Sequence, residues 1–215
     1  MKKIFALLVL VVLTVASVHV KAQMSTGVDL YSSYVWRGAK FGTGPAIQPW
    51  VDYTTGGLSI GAWGSVCTSS DEALEMDLYA GYSFDFGLGI TVTDYYFGDG
   101  WLTSESHFLE PSLSYEVGGL SLSAAYMLGM GDDETADMYI EAGYSFDSFD
   151  IFVGAGDGQY TATDDDPDGG FNLCNIGIGT SKDIKITEDF SLPVSGSVIL
   201  NPATEGFFIV VGISL

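Results

Sequence analysis

Apolar and polar residues alternate along most of this chain, in runs of roughly 8–11 residues that stop at Gly, Asp or Asn. A β-strand turns successive side chains to opposite faces, so a period of two predicts half-buried strands following one another in sequence. Twelve are expected, over about 27–37, 46–55, 58–67, 75–84, 88–97, 107–116, 120–129, 137–146, 150–156, 171–181, 190–200 and 207–215. Their connections alternate in length. Gly56-Gly57, Asp85-Phe86-Gly87, Val117-Gly118-Gly119 and Asp147-Ser148-Phe149 have the length and composition of tight turns. By contrast, 68–74, 98–106, 130–136 and 157–170 are longer and polar. With an even number of strands, both chain ends fall on the side of the short turns.

The same alternation assigns faces. In the fourth segment Met76, Leu78, Ala80, Tyr82 and Phe84 share one face, against Glu75, Asp77, Tyr79, Gly81 and Ser83. In the last segment Phe207, Ile209, Val211, Ile213 and Leu215 fall together. A soluble sandwich would turn the apolar face inward, and a membrane barrel would turn it outward. Two features favour the barrel. Apolar faces often end in Tyr or Phe, as interfacial girdles do. Polar faces carry Ser, Thr, Gly, Tyr and acids, with almost none of the Lys that guards soluble strands. The expected fold is all-β, an antiparallel up-and-down transmembrane β-barrel of about 12 strands.

The N-terminus agrees with an exported protein. Lys2 and Lys3 precede a nearly unbroken apolar run from Ile4 to Val18, and Val20-Lys21-Ala22 fits a cleavage site. A signal peptide is therefore expected over 1–22 and the barrel over 23–215, in the outer membrane of a bacterium. Composition supports the same placement. The chain is 47% hydrophobic but only 16% charged, where a soluble domain carries about a quarter.

Charge narrows the partners. Beyond residue 22 the basic residues are Arg37, Lys40, Lys182 and Lys185, against all 28 acids, a formal charge of about −24. Nucleic acid is excluded, since phosphate binding needs clustered Lys and Arg. Outer-membrane lipid and small solutes remain as partners; the oligomeric state is left open. Disorder is excluded as well, because acidic disordered chains lack the aromatic and β-branched residues abundant here.

The first expected strand reads Leu30-Tyr31-Ser32-Ser33-Tyr34-Val35-Trp36-Arg37-Gly38, and Gln48-Pro49 follows in the second. Over about residues 27–63 the sequence resembles the TorF-like porins, a group of Gram-negative outer-membrane β-barrel proteins. That resemblance implies a barrel with a porin-like role. It supplies no substrate and no catalytic residue.

Alternation turns Asp29, Tyr31, Arg37, Asp52, Trp63, Glu75, Asp77, Tyr79, Glu110 and Glu141 into the barrel, as candidate pore-lining residues, with Glu116 beside them. Arg37 is the one base expected on that wall. It is either a constriction residue or half of a salt bridge bracing adjacent strands. The surplus acid favours cations over anions. Trp36 is expected to face outward as an anchor, and Trp50 and Trp63 inward. Tyr31, Trp50, Trp63, Tyr79, Tyr139 and Phe152 are bulky enough to close the lumen. Two functions follow: a narrow acidic channel for small neutral or cationic solutes, or a non-conducting barrel that acts structurally or through its acidic loops.

Other motifs carry less. Asp164 to Gly169 begins like a calcium loop, but Asn175 stands where a bidentate Glu is needed, so a solvated acidic loop is expected. His107 is the sole His beyond the leader and is expected at the rim. Neither a catalytic triad nor a zinc spacing is present, so no cofactor is implied and the chain is not expected to be an enzyme. Pairing of Cys67 with Cys174 is left open. The hexapeptide Ala80–Asp85 recurs as Ala142–Asp147, through duplication or through hairpins converging on one solution.

Overall fold

A computed structural model describes residues 22–69, 74–98, 101–103, 106–130 and 136–215. The expected leader, apart from Ala22, lies outside the described residues. Twelve strands close into one antiparallel barrel. They are β1 (Gln23–Tyr31), β4 (Ala46–Thr55), β5 (Leu58–Cys67), β6 (Glu75–Ser83), β7 (Leu88–Phe97), β8 (His107–Val117), β9 (Leu120–Gly129), β10 (Ala136–Ser145), β11 (Asp150–Gly156), β12 (Asn172–Lys185), β13 (Ser191–Asn201) and β14 (Gly206–Ser214). Each pairs with its neighbour in sequence. β1 closes the ring between β4 and β14, with Tyr31 opposite both Ala46 and Gly212. Two further short strands, β2 (Tyr34–Trp36) and β3 (Ala39–Phe41), form a separate hairpin.

The first strand departs from expectation. It ends at Tyr31 and does not run to position 37. At Ser32-Ser33 the chain leaves the wall, and residues 34–41 fold back as the β2–β3 hairpin. Two consecutive hydroxyl residues bond nearby backbone readily: Ser32 Oγ accepts from the Val211 amide at 3.0 Å. β12 runs longer than expected, through Lys185. An irregularity in its pairing with β11 near Gly154/Ala155 steps the register from Asn175 to Leu173, so Cys174 is bulged.

The outer surface is apolar. Ile60, Leu78, Val92, Leu113, Ile140, Val153, Ile178 and Ile209 are all exposed, with no protein layer over them. Among the described residues no helix is long and apolar enough to cross a membrane. Aromatic clusters edge this belt at the short-turn end. Tyr82, Phe84 and Phe86 pack in sequence at 4.9 and 5.4 Å, and Tyr144, Phe146 and Phe149 at 4.8 and 4.7 Å. Here the repeated hexapeptide has a physical reading. In each copy the Tyr ring covers a glycine of the preceding turn, Tyr82 over Gly57 and Tyr144 over Gly119. The Ser amide then bonds that glycine's carbonyl, at 2.8 Å in both copies.

The inner wall uses the same device. Trp50 lies over Gly27, Tyr79 over Gly61, Tyr139 over Gly154, Phe152 over Gly177 and Tyr31 over Gly212. A Cβ on any of these glycines would strike the ring. These five inward residues therefore lie along the wall on a neighbouring glycine, an arrangement that also supports the glycine-bearing strand, whereas Trp63 and Tyr95 pack on Tyr34 and Trp36. Toward the short turns several inward positions are small, as with Ser59, Thr91, Ser112, Ser121 and Ser195, among larger ones such as Asp52, Glu116 and Phe152.

The outward belt sets the first expected outcome. Ile140→Arg should cost about 2–4 kcal/mol in a lipid bilayer, as expected for a cation on a lipid-facing wall. The inward Ser112→Ala should stay within about 0.5 kcal/mol. Urea unfolding of the barrel in phosphatidylcholine vesicles measures both, and equal costs would contradict the assignment of faces.

Candidate functional site

The β2–β3 hairpin enters the lumen at the long-loop end. Its turn is built for a tight fit. Arg37 has φ +52° and Gly38 φ +81°, the left-handed region that suits glycine. A Cβ at Gly38 would also collide with the Cys174 carbonyl oxygen. Tyr34 packs against Phe41 at 5.2 Å and against Trp63 of β5 at 5.7 Å. Trp36 packs against Tyr95 of β7 at 5.5 Å and Tyr160 at 5.6 Å. Trp36 therefore faces the lumen's aromatic cluster, not the membrane as its place in a longer strand predicted.

Arg37 is the centre of the arrangement. It does not sit on the barrel wall but reaches the wall from the hairpin tip. Its guanidinium donates to both Glu110 oxygens, at 2.6 and 2.9 Å, and to the Tyr160 hydroxyl at 2.7 Å. Tyr95 donates to the same carboxylate at 3.2 Å. The guanidinium carbon also stands 4.3 Å from the Trp36 ring centre and 4.6 Å from that of Tyr139. Burial alone would lower the pKa of Arg37, but the bonds and charge of Glu110 outweigh it and raise the value, so the cation is fixed. At Tyr160 burial dominates and raises the hydroxyl, with Arg37 opposing.

A short 3-10 turn, Gly158–Tyr160, meets the hairpin from the other side. It is pinned by reciprocal bonds: the Gln159 amide donates to Asp137 at 3.2 Å and the Met138 amide to Asp157 at 2.5 Å. Asn201, with no exposed surface, ties the parts together. Its amide nitrogen donates to the carbonyls of Gly38 (3.2 Å) and Tyr160 (2.9 Å), and its oxygen accepts from the amides of Ala203 and Thr204. One side chain thus clamps the hairpin, the 3-10 turn and the β13–β14 turn.

The remaining sequence-derived candidates fall around this assembly. Glu75, Asp77 and Glu110 are buried in the upper lumen. Trp63 packs on the hairpin. Tyr79 donates to Asp52 at 2.6 Å. Tyr139 donates to Glu141, and Asn175 donates to both. Asp29, Tyr31 and Glu116 lie on the inward series of β1 and β8, and Tyr31 borders the same cavity as Trp36 and Tyr95. Sequence reasoning missed Tyr34, Tyr95, Tyr160, Gly38 and Asn201. The available signals were the Ser32-Ser33 break and the glycines at 38, 42 and 44, which mark a turn inside an over-long strand.

The minor motifs resolve as follows. Asp164–Asp168 is exposed, and among the described residues no group of three His, Cys, Asp or Glu is placed to hold a metal. His107 sits at the outer rim, 2.9 Å from Asp94 and packed on Tyr96 and Trp101. Cys67 and Cys174 do not pair. Both are free and buried, each in a different cluster beneath the hairpin.

Comparison with known proteins adds a family. A model described as "Bacterial protein of unknown function (Gcw_chp)" matches residues 16–191. No curated protein matches the chain. Among solved structures, a multiply substituted Rh. blastica porin is similar with a TM-score of 0.45 and 15% identity, covering 79% of this chain and 55% of its own. The chain thus spans about half the length of that porin. A triple mutant of the same Rhodopseudomonas blastica porin has a TM-score of 0.41 at 12% identity, covering 91% of this chain and 99% of its own. Pseudomonas aeruginosa OccK5 (OpdH) has a TM-score of 0.37 at 11% identity, covering 93% and 68%.

The clamp has two checkable consequences. Arg37→Ala leaves Glu110 buried without its partner and should lower stability by about 3–5 kcal/mol. Adding Glu110→Gln should recover part of the loss; a double mutant no better than the single one would show that the pair matters only through packing. Gly38→Val should dislodge the hairpin tip. In a Cys67→Ser background, Cys174 should then react with a water-soluble maleimide, whereas it stays unreactive behind Gly38.

Proposed function

The chain belongs to the Gcw_chp family of bacterial proteins of unknown function, and we propose that it is an exported outer-membrane channel whose lumen is narrowed by its own first loop. The apolar outer belt with its aromatic edge supports a bilayer setting. The short turns are then periplasmic and the hairpin end extracellular. The resemblance of residues 27–63 to TorF-like porins points the same way.

The observation that carries this reading is the disposition of the lumen. Five inward rings of the wall, Tyr31, Trp50, Tyr79, Tyr139 and Phe152, lie on glycines of neighbouring strands, and several inward positions toward the short turns are small hydroxyl residues. Both features favour a wall that leaves room for solute. Constriction comes from the β2–β3 hairpin and the 3-10 turn, which are loops secured by polar contacts. Acidic side chains on the lumen side include Asp52, Glu75, Asp77, Glu110 and Glu141. The guanidinium of Arg37 neutralises Glu110 alone. A lumen of that sign concentrates cations and repels anions. We therefore assign small neutral and cationic solutes as the permeants. Nothing in the residues calls for catalysis.

One feature supports a tightly closed resting state: Tyr160, Cys174 and Asn201 have essentially no accessible surface. A barrel that never conducts and acts through its acidic loops is the competing reading. Planar-bilayer recording separates the two. The purified barrel should give small conductance steps, and reversal potentials across a KCl gradient should show cation preference. Replacing 34–41 by a short Gly-Ser link should raise the unit conductance several-fold. A silent bilayer with both proteins would sink the channel, and anion preference would refute the acidic lumen.

A further inference from the structure

Two compartments of the lumen border the hairpin. One, of about 340 Å³, is lined by Arg37, Tyr139, Glu141 and Asn175. The other, of about 400 Å³, contains no basic residue in its lining. Val35, Trp36 and Ile199 border both. The second compartment is bounded by the rings of Tyr31, Tyr34, Trp36, Trp63 and Tyr95, with Asp77 among them.

We propose that this second compartment is a binding site for an organic ammonium ion, a solute with a methylated or primary ammonium head on a small apolar body. It gives the acidic lumen a specific ligand, and rests on the channel reading in that the lumen must be reached from water. Four observations carry it.

Asp77 is 6% exposed, yet its Oδ1 has no hydrogen-bond partner. Ser33 Oγ, on the same cavity, is also unpartnered. Buried polar atoms normally find partners, so two orphans on one cavity mark where a ligand group is missing. Among the described residues no basic side chain forms an ion pair with Asp77 or Glu75; the one Arg nearby is spent on Glu110. Finally, the lining is aromatic. Rings present a negative face to a cation, and Trp36 already receives the Arg37 guanidinium in this way.

Other ligand classes fit worse. An anion would meet Asp77 with no compensating base. A sugar would need more donors than the cavity's two orphaned atoms supply, and the Gln48 side-chain nitrogen already donates to Ser65 at 3.3 Å. The volume is in the range of small-molecule sites, roughly 300–1,000 Å³.

The test uses the full barrel in detergent and two probes of equal shape: choline and its neutral carbon isostere, 3,3-dimethylbutan-1-ol. Equilibrium dialysis and tryptophan fluorescence report binding. Choline should bind saturably, about tenfold or more tighter than the alcohol, as a desolvated cation–π site with a carboxylate requires. Asp77→Asn should erase that preference while leaving alcohol binding in place. Heat-modifiable gel mobility checks that this variant is folded, and the wild-type comparison stands without it. Equal affinity for the two probes, no saturable choline binding, or an unchanged preference in folded Asp77→Asn would each overturn the proposal. Conductance without choline binding refutes this site alone. Choline binding without conductance refutes the channel alone.

Discussion

The bidentate pair between Arg37 and Glu110 is the interaction on which the interior depends. A barrel wall needs nothing inside it to close, since its backbone groups pair strand to strand. The lumen of this barrel, however, contains a loop, and a loop stays there only if its polar groups are answered. Arg37 brings one fixed positive charge into a cavity of carboxylates, and Glu110 meets it with both oxygens. The aromatic rings of Trp36, Tyr139 and Tyr160 then enclose the guanidinium, so the pair is shielded from water as well as matched. Breaking such a pair costs more than forming it returns, because the survivor is stranded. The hairpin position is therefore sharply defined, although few residues hold it.

That sharpness shapes the chemistry of the lumen. With Arg37 committed to Glu110, the other acidic side chains of the upper lumen, Glu75 and Asp77, have no basic partner among the described residues. Of the two cavities that border the hairpin, one has Arg37 in its lining and the other has no base. On the proposed channel reading, a single loop would serve as constriction and as partition, and the selectivity of the lumen would come from which acids it leaves without a basic partner.

Most of the barrel was legible in the sequence because a wall with one apolar face imposes a strict period of two. Glu75 and Asp77 declared their direction through Met76 and Leu78 beside them. The same rule misplaced Trp36 and Arg37. An apolar run, Tyr34-Val35-Trp36, follows Ser32-Ser33 and keeps the segment strand-like, so the two serines and the glycines beyond are the sole local marks of where the chain leaves the ring. The hairpin β2–β3 alternates too, being itself a pair of strands. What distinguishes it is tertiary: the 73-residue separation of Arg37 from Glu110 and the 163-residue separation of Gly38 from Asn201. Such partners carry no local pattern. The glycines beneath Trp50, Tyr79 and Phe152 were equally silent, because the pairing register decides which ring meets which glycine.

Asn201 belongs to the second-last strand, and what it grips lies near the beginning of the chain. Its bond to Gly38 spans 163 residues and so joins the two ends of the barrel chain. The same side chain also holds the Tyr160 carbonyl and the amides of Ala203 and Thr204. A chain truncated before Asn201 would lose all of these contacts at once, leaving the hairpin to Arg37 and its aromatic neighbours.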